Sequence, residues 1–537
     1  MDCRLYKPSE LPHTTNLIGD FTDNFQKVSA FYPHAPNLQS VVSYAHGLKF
    51  PEERRRRVAG ILREQNREFG AGSATESNLR RLEEGAVAVV SGQQVGLMGG
   101  PAFAFYKAMT AIQTAADLSN QGVPAVPVFW MATEDHDVDE VRHTAWFFEG
   151  KLQRLELGKP GDEPQPVGEI RLGREIDELL REAGATLSGP FASELMEILR
   201  QSYKPDETYG SAFAKMFARI FSAQGLILLD PLDSRLHQLA APIMCQALAQ
   251  RDTLNSLLME RGKALQQAGY EEQVKVTARS TLLFTLRDGQ RHVVTATNGE
   301  FLSAGEAHPR HEWMHQVDTE PQHFSPNALL RPVVQDYLLP TAAYFGGPAE
   351  IAYFAQSSVV YQRLLGTMPV ILPRADFTLV DPKAVRLLKK YKLSVEEAWK
   401  GSQNLLKRMY AESVPKKVAR EFDRSISNIE KQVQKLQASV AKVDPTVQGA
   451  IARGEKRIRY QVEKMRRQTG ASLDHHEKLI RRHAEFLENL IYPQKQLQSR
   501  DLNFLPFLAR LGMPGLLDLQ QLASPNHPGQ HCVVEIP

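Results

Sequence analysis

Cysteine is scarce. The 537-residue chain has three, Cys3, Cys245 and Cys532, far apart and in no CxxC spacing. An odd, scattered set argues against a disulfide framework and against a cysteine zinc site. An excess of one charge is also missing. Lys plus Arg number 64 and Asp plus Glu 62, a net of +2, so a whole-protein nucleic-acid binder is not expected. No long hydrophobic run occurs. The longest uncharged stretch, 85–106, holds five glycines, two glutamines and a proline, so no membrane span is expected. The start, MDCRLYKPSELPHT, has no apolar core of a secretory leader, and a cytoplasmic location is expected. Covalent nucleophiles lack their usual settings: there is no GxSxG elbow and no cysteine beside a base.

What is present is an ordinary folded composition, 42% hydrophobic and 23% charged, in a chain long enough for more than one domain. Residues 382–500 carry 27 basic and 13 acidic residues, a surplus of 14, which leaves −12 for the rest. Such a shift marks a separate module. Within it Phe422, Ile426, Ile429, Val433, Leu436, Val440 and Val443 alternate spacings of four and three, a coiled-coil seam of three heptads. Asp444-Pro445-Thr446 suits a turn, and a second helical run from Val447 through Leu473 to Leu490 follows, with Gly454 and Ser472 near its seam. The expected module is an antiparallel helical hairpin.

Residues 1–381 differ. The apolar runs 86–90 (AVAVV), 125–130 (AVPVFW), 226–229 (LILL) and 369–372 (PVIL) alternate with helical stretches. Short, wholly apolar strands predict an α/β fold with a parallel sheet covered on both faces. Insertions are expected at about 150–210, charged and helical, and at about 250–325. The latter holds a β-hairpin, 281–286 and 293–297, around Asp288-Gly289. Residues 501–537 turn apolar again and are expected to pack back on the core.

Three segments gather chemistry-bearing residues. The first is SGQQVGLMGGP at 91–101, after a strand and before a helix, with Gln93, Gln94, Gly96, Gly99 and Gly100. Glycines at a strand–helix junction let backbone amides approach an anion, or simply make a tight turn. The pattern is neither GxGxxG nor GxxxxGK[ST], so neither nucleotide fingerprint applies. The second is EDHD, Glu134 to Asp137, followed by Asp139 and Glu140. Clustered carboxylates repel unless a cation gathers them. Asp135 and Asp137 are candidates for Mg²⁺, or the cluster binds a substrate amine, with His136 moving a proton. The alternative is a solvated helix start. The third is LLRPVVQDYLLP at 329–340, with Arg331, Gln335 and Asp336, followed by Gly346-Gly347-Pro348-Ala349, which repeats the tetrapeptide at 99–102. Two such helix starts are candidates to face one cleft. Arg331 either meets substrate or pairs with Asp336. Arg374, in PRADFTLVD, is a further anion clamp or a partner of Asp376. Without a nucleophile, direct attack of an amine on an activated carboxylate fits best.

At SGQQVGLMGGPAFAFYKAMTAI, PVFWMATEDHDVDEV, LLRPVVQDYLLPTAAYFGGPAEIAYFAQ, PVILPRADFTLVD and YPQKQLQSRDLNFLPFLARLG the chain resembles the bacillithiol biosynthesis cysteine-adding enzymes, the BshC family, over nearly its whole length. The resemblance implies a Rossmann-like core like that of class I aminoacyl-tRNA synthetases, two connecting insertions, and a C-terminal coiled coil that makes a homodimer. It implies a ligase that adds cysteine to glucosaminyl-malate, with ATP or another nucleotide and Mg²⁺ activating the cysteine carboxylate. Release of AMP and of ADP both stay open. Glu134, Asp135, His136 and Asp137 are the expected catalytic group. Gln93, Gln94, Arg331, Gln335, Asp336 and Arg374 are expected to bind substrate, and Gly96, Gly99, Gly100, Gly346 and Gly347 the nucleotide or another anion. Two other readings stay open: a metal-dependent hydrolase or transferase built on residues 134–137, and a non-enzymatic coiled-coil scaffold.

Overall fold

A computed structural model describes residues 2–537 except 160, 162–164, 288, 298, 415, 445–446, 472–473 and 526–527. The chain divides into two compact units. One comprises Met1–Trp146, Gln153–Leu379 and Ser499–Val534, the other Phe147–Leu152, Val380–Gln498 and Glu535–Pro537.

The first unit is built on five parallel strands: β1 (Val87–Gln93), β2 (Ala125–Met131), β3 (Ile227–Leu229), β4 (Thr341–Gly346) and β5 (Val370–Pro373), in the order β5-β4-β1-β2-β3. Their sequences are mostly apolar because successive side chains enter different cores. Val87 and Val89 join a cluster with Ala111, Leu118 and Phe345 on one face. Ala88 and Val90 join Leu62, Trp130 and Tyr344 on the other. A period of two with both faces buried leaves few polar positions, Ser91, Gln93 and Thr341 among them. Helix α1 (Phe103–Asn120) covers one face, and α2 (Ser234–Ala249), α3 (Arg331–Leu338) and α4 (Pro348–Leu364) also belong to this unit.

Strand β4 was not among the expected strands, although it lies between β5 and β1. Its alanine-rich stretch runs straight into the GGPA start of α4 and leaves no turn signal to separate them. The insertion at about 250–325 holds more than a hairpin. Ser280–Arg287 and Gln290–Thr297 pair, and Glu300–Ser303, Glu306–Pro309 and Phe324–Pro326 extend them into a five-stranded antiparallel sheet. Asp288 of the expected turn lies outside the described residues.

The cysteine reading needs correction. Cys3 and Cys532 form a disulfide with Cα atoms 5.7 Å apart, and Cys245 is free. The reason is topological. Strand Cys3–Tyr6 pairs antiparallel with His531–Glu535, which brings together residues 529 apart in sequence.

The second unit is helical. Helices α5 (Lys416–Val440) and α6 (Gln448–Ala471) form an antiparallel hairpin, with Arg459 3.2 Å from Glu430 and Arg466 2.9 Å from Asp423. The second helical run is split: α7 (Asp474–Ile491) follows α6, with Ser472 and Leu473 outside the described residues, as are Pro445 and Thr446. Ile480, Leu487 and Leu490 of α7 are buried, whereas Leu436, Ile458 and Met465 on the hairpin are 54%, 45% and 51% exposed. Among the described residues no helix is long and apolar enough to cross a membrane.

Candidate active site

The carboxyl ends of parallel strands in an open sheet form a crevice where chains leave the strands in different directions. Here β1 ends on Gln93, β2 leads to Glu134 and Asp135, β4 to Gly347 and β5 to Arg374. These residues line a cavity of about 680 Å³, closed further by Phe284 and Arg291 of the antiparallel sheet. Motifs scattered over 280 residues of sequence thus share one cleft because the sheet collects their strand ends.

One part of the cleft is cationic. Arg374 is 6% exposed at its side chain, and its Nη1 donates to Asp376 Oδ1 (2.7 Å) and Ala375 O (3.0 Å). Its Nε is buried with no hydrogen-bond partner. Asp376 in turn lies 3.1 Å from His531 Nδ1. Burial alone would raise the Asp376 carboxyl, but Arg374 and His531 outweigh it and hold it well below the usual carboxylate range. The expected alternative for Arg374, a salt bridge with Asp376, is real but buried, and it still leaves a donor unused. Arg331 donates to Gln335 Oε1 (3.0 Å) and to the Tyr353 hydroxyl (2.9 Å), beside the rings of Trp130 and Tyr344. Arg500 also lines the cavity.

Beneath these groups lies an ion pair that the sequence reading missed. The fully buried Lys107 of α1 pairs with Glu350 of α4, and its Nζ donates to Gly92 O and Gln93 Oε1, both at 2.8 Å. Glu350 also accepts from the Tyr344 hydroxyl (2.5 Å) and Gly347 N (2.7 Å). Burial pushes the Lys107 ammonium below its usual range, and Glu350 opposes that shift. One signal was available: Lys107 is the only charge in AFAFYKAMTAI, where a lone charge needs a buried partner. Arg291 and Arg500 had no such signal.

The opposite part is acidic. Gln94 Nε2 donates to Asp135 Oδ2 (2.7 Å), and Asp135 Oδ1 accepts from His136 N (2.7 Å). Glu140 also lines the cavity, and burial raises its carboxyl. Glu134, 8% exposed at its side chain, faces His237 Nε2 at 3.2 Å, while His237 Nδ1 lies 3.0 Å from Pro321 O.

Several expected residues stand elsewhere. Asp137 caps the short helix Val138–Val141, accepting from Glu140 N at 3.3 Å, so it is the helix start of the alternative reading. His136 Nδ1 lies 3.3 Å from Arg291 Nη1. The same Nδ1 lies 3.6 Å from Asp135 Oδ1. Gln335 and Asp336 sit behind the cleft: Gln335 Nε2 donates to Asp336 Oδ1 (2.9 Å), and burial raises the Asp336 carboxyl to about 6. Arg331 therefore reaches Asp336 only through Gln335. Gly96, Gly99 and Gly100 form a packed turn rather than an open anion cradle. A Cβ on Gly99 would meet the Phe105 ring at 2.5 Å, and Asn503 Nδ2 donates to Met98 O and Gly100 O (2.9 and 2.8 Å). Gly346 accepts from Arg374 N (3.0 Å), and Gly347 lines the cleft but its N–H is taken by Glu350.

The donor set does not fit a resident Mg²⁺. Asp137 is held as a cap, Asp135 is held by Gln94, and among the described residues no three His, Cys, Asp or Glu side chains gather as a metal site. An anion fits better, given the unused Arg374 Nε and its cationic neighbours.

The buried His237–Glu134 pair makes stability depend on pH. Burial lowers the imidazole, but Glu134 outweighs it and the net shift is upward from 6.5. A raised folded-state value contributes stability below pH 6.5 that is lost as pH rises through the folded value. Urea denaturation is expected to show declining stability from pH 6.5 upward, and His237→Gln is expected to flatten that slope.

A parallel-sheet core with a cleft of both charge signs at its strand ends, followed by a helical hairpin module, defines a Rossmann-like protein with a coiled-coil domain. Residues 5–375 match the family described as "Bacillithiol biosynthesis BshC, N-terminal Rossmann-like domain", and residues 377–536 "Bacillithiol biosynthesis BshC, C-terminal coiled-coil domain". Proteins named "Putative cysteine ligase BshC" from Koribacter versatilis, Solibacter usitatus and Salinibacter ruber are 40%, 38% and 30% identical to this chain. The alignments cover 98%, 96% and 98% of both partners. The chain belongs to the BshC family.

Proposed function

We propose that this protein is a ligase that joins the carboxylate of cysteine to the amine of glucosaminyl-malate, the last step of bacillithiol biosynthesis, in the cytoplasm. A nucleotide activates the carboxylate. The observation that carries this reading is Arg374 in the cleft, whose buried Nε has no protein partner. With Arg331 and Arg500 nearby, that donor suits the malate carboxylates or a nucleotide phosphate. Asp135 and Glu140, on the acidic side, suit the cysteine ammonium. Gln93 and Gln94 connect the two sides through Lys107 and Asp135 and orient the substrates. His136 accepts the proton that the attacking amine loses.

Purified protein incubated with cysteine, glucosaminyl-malate, Mg²⁺ and a panel of nucleotides tests this. A product with the mass of the amide is expected. AMP release would identify an adenylate and ADP release an acyl phosphate. Folded protein that forms no amide with any nucleotide would end the reading.

The hairpin supports a homodimer. Leu436, Ile458 and Met465 leave apolar side chains exposed along the hairpin, and a second copy would cover them. Light scattering is expected to give twice the mass of one chain. Leu436→Glu is expected to halve it.

A further inference from the structure

Beside the main cleft lies a smaller cavity of about 20 Å³, lined by Trp130, Glu134, His237, Ala240, Met244 and Phe324 among others. Trp130, Glu134 and Pro326 line both spaces, so the two lie side by side at the end of β2. Its volume accepts one or two groups of water size. Three features limit what fits. Most of the wall is apolar, from α2, α3 and the strand Phe324–Pro326. The Trp130 ring is 2% exposed and its indole N–H is buried with no hydrogen-bond partner, a donor waiting for an acceptor. The buried Glu134–His237 pair forms the remaining polar wall.

The geometry points to a subsite for the thiol side chain of the cysteine substrate, with Trp130, Ala240 and Met244 setting specificity. This rests on the ligase reading above. A CH₂–SH group has the right size and is largely apolar, and its sulfur is both a weak acceptor for the Trp130 N–H and a weak donor to Glu134. A carboxylate would meet Glu134 at a desolvated site. A hydroxyl would meet the same two polar partners, but it costs more to strip of water and fills less of the apolar wall. The amino and carboxylate groups of the same cysteine would then remain in the main cleft, where the acidic and cationic groups stand.

Titration calorimetry on the full chain, with nucleotide present, tests the subsite. Cysteine, S-methylcysteine and serine are the probes. An added methyl overfills a two-atom pocket, and one such group shifts discrimination by about tenfold or more. Cysteine is expected to bind at least about tenfold more tightly than S-methylcysteine or serine. Ala240→Leu, which fills the pocket, is expected to weaken cysteine binding to a similar extent and leave glucosaminyl-malate binding unchanged. If wild-type protein takes cysteine and S-methylcysteine equally, or if folded Ala240→Leu protein binds cysteine as wild type does, the subsite is refuted while the ligase reading stands. Wild-type protein that binds glucosaminyl-malate but no cysteine or analogue refutes both. Because the analogue series needs no variant, failure of Ala240→Leu to fold would not shelter the idea.

Discussion

The Arg374→Gln protein is expected to lose about 10²-fold in kcat/KM for amide formation, equivalent to ~2.7 kcal/mol of transition-state stabilisation. Glutamine cannot supply the unused Nε donor or the charge beside it. It also leaves Asp376 buried without its cation, and breaking such a pair costs about 3–5 kcal/mol of stability. Stability and catalysis must therefore be separated. Arg374→Lys keeps a charge near Asp376 but loses the guanidinium fork, so it is expected to fold with a smaller loss of Tm. Its KM for the anionic substrate is expected to rise with a lesser change in kcat. If both variants turn over normally once folded, Arg374 braces Asp376 and His531 and does not bind substrate.

The second large effect concerns the pair beneath the cleft. Lys107→Met leaves Glu350 buried and unpaired, and a loss of about 3–5 kcal/mol in stability is expected, seen as a marked fall in Tm. Glu350→Gln alone strands Lys107 in the same way. The double variant Lys107→Met/Glu350→Gln removes both charges and is expected to recover most of the loss, since an apolar or neutral pair of similar volume often replaces a buried ion pair well. Activity is expected to stay low in the double variant. Lys107 holds the Gln93 side chain and Glu350 holds Gly347, and both of these line the cleft. Recovery of activity together with stability would reduce the pair to a structural role.

The parts of the fold readable from sequence were those governed by short periods. The run at 86–90 announced a doubly buried strand, and the seam from Phe422 a coiled-coil helix that ends at Val440 and leaves Val443 exposed, because each depends on neighbours two to four residues apart. What escaped reading depends on distant pairing. Nothing near Cys3 shows that Cys532 will lie across from it. Nothing in TAAYFG shows that it enters the sheet between β1 and β5. The candidate site followed the same division. Gln93, Glu134, Asp135, Arg331 and Arg374 were noticed because polar groups follow apolar strands or interrupt apolar runs. Whether such a residue faces the cleft was not legible. Gly99 is packed under Phe105 and Asp336 is tied to Gln335, although both sit in motifs that also supply cleft residues. His237 comes from α2 and Arg291 from the antiparallel sheet of the second insertion, and no local pattern encodes where either one lies.

Oxygen tracing gives the most direct test of nucleotide-activated ligation. Cysteine labelled with ¹⁸O in its carboxylate would be incubated with glucosaminyl-malate and the nucleotide that supports the reaction, and the products weighed by mass spectrometry. Activation of the carboxylate requires one labelled oxygen to leave with phosphorus, so ¹⁸O is expected in AMP or inorganic phosphate, one atom for each amide formed, with the other retained in the product. Amide that forms while the departing label appears only in water would mean that no phosphorylated or adenylated carboxylate lies on the path, and the proposed mechanism would be wrong.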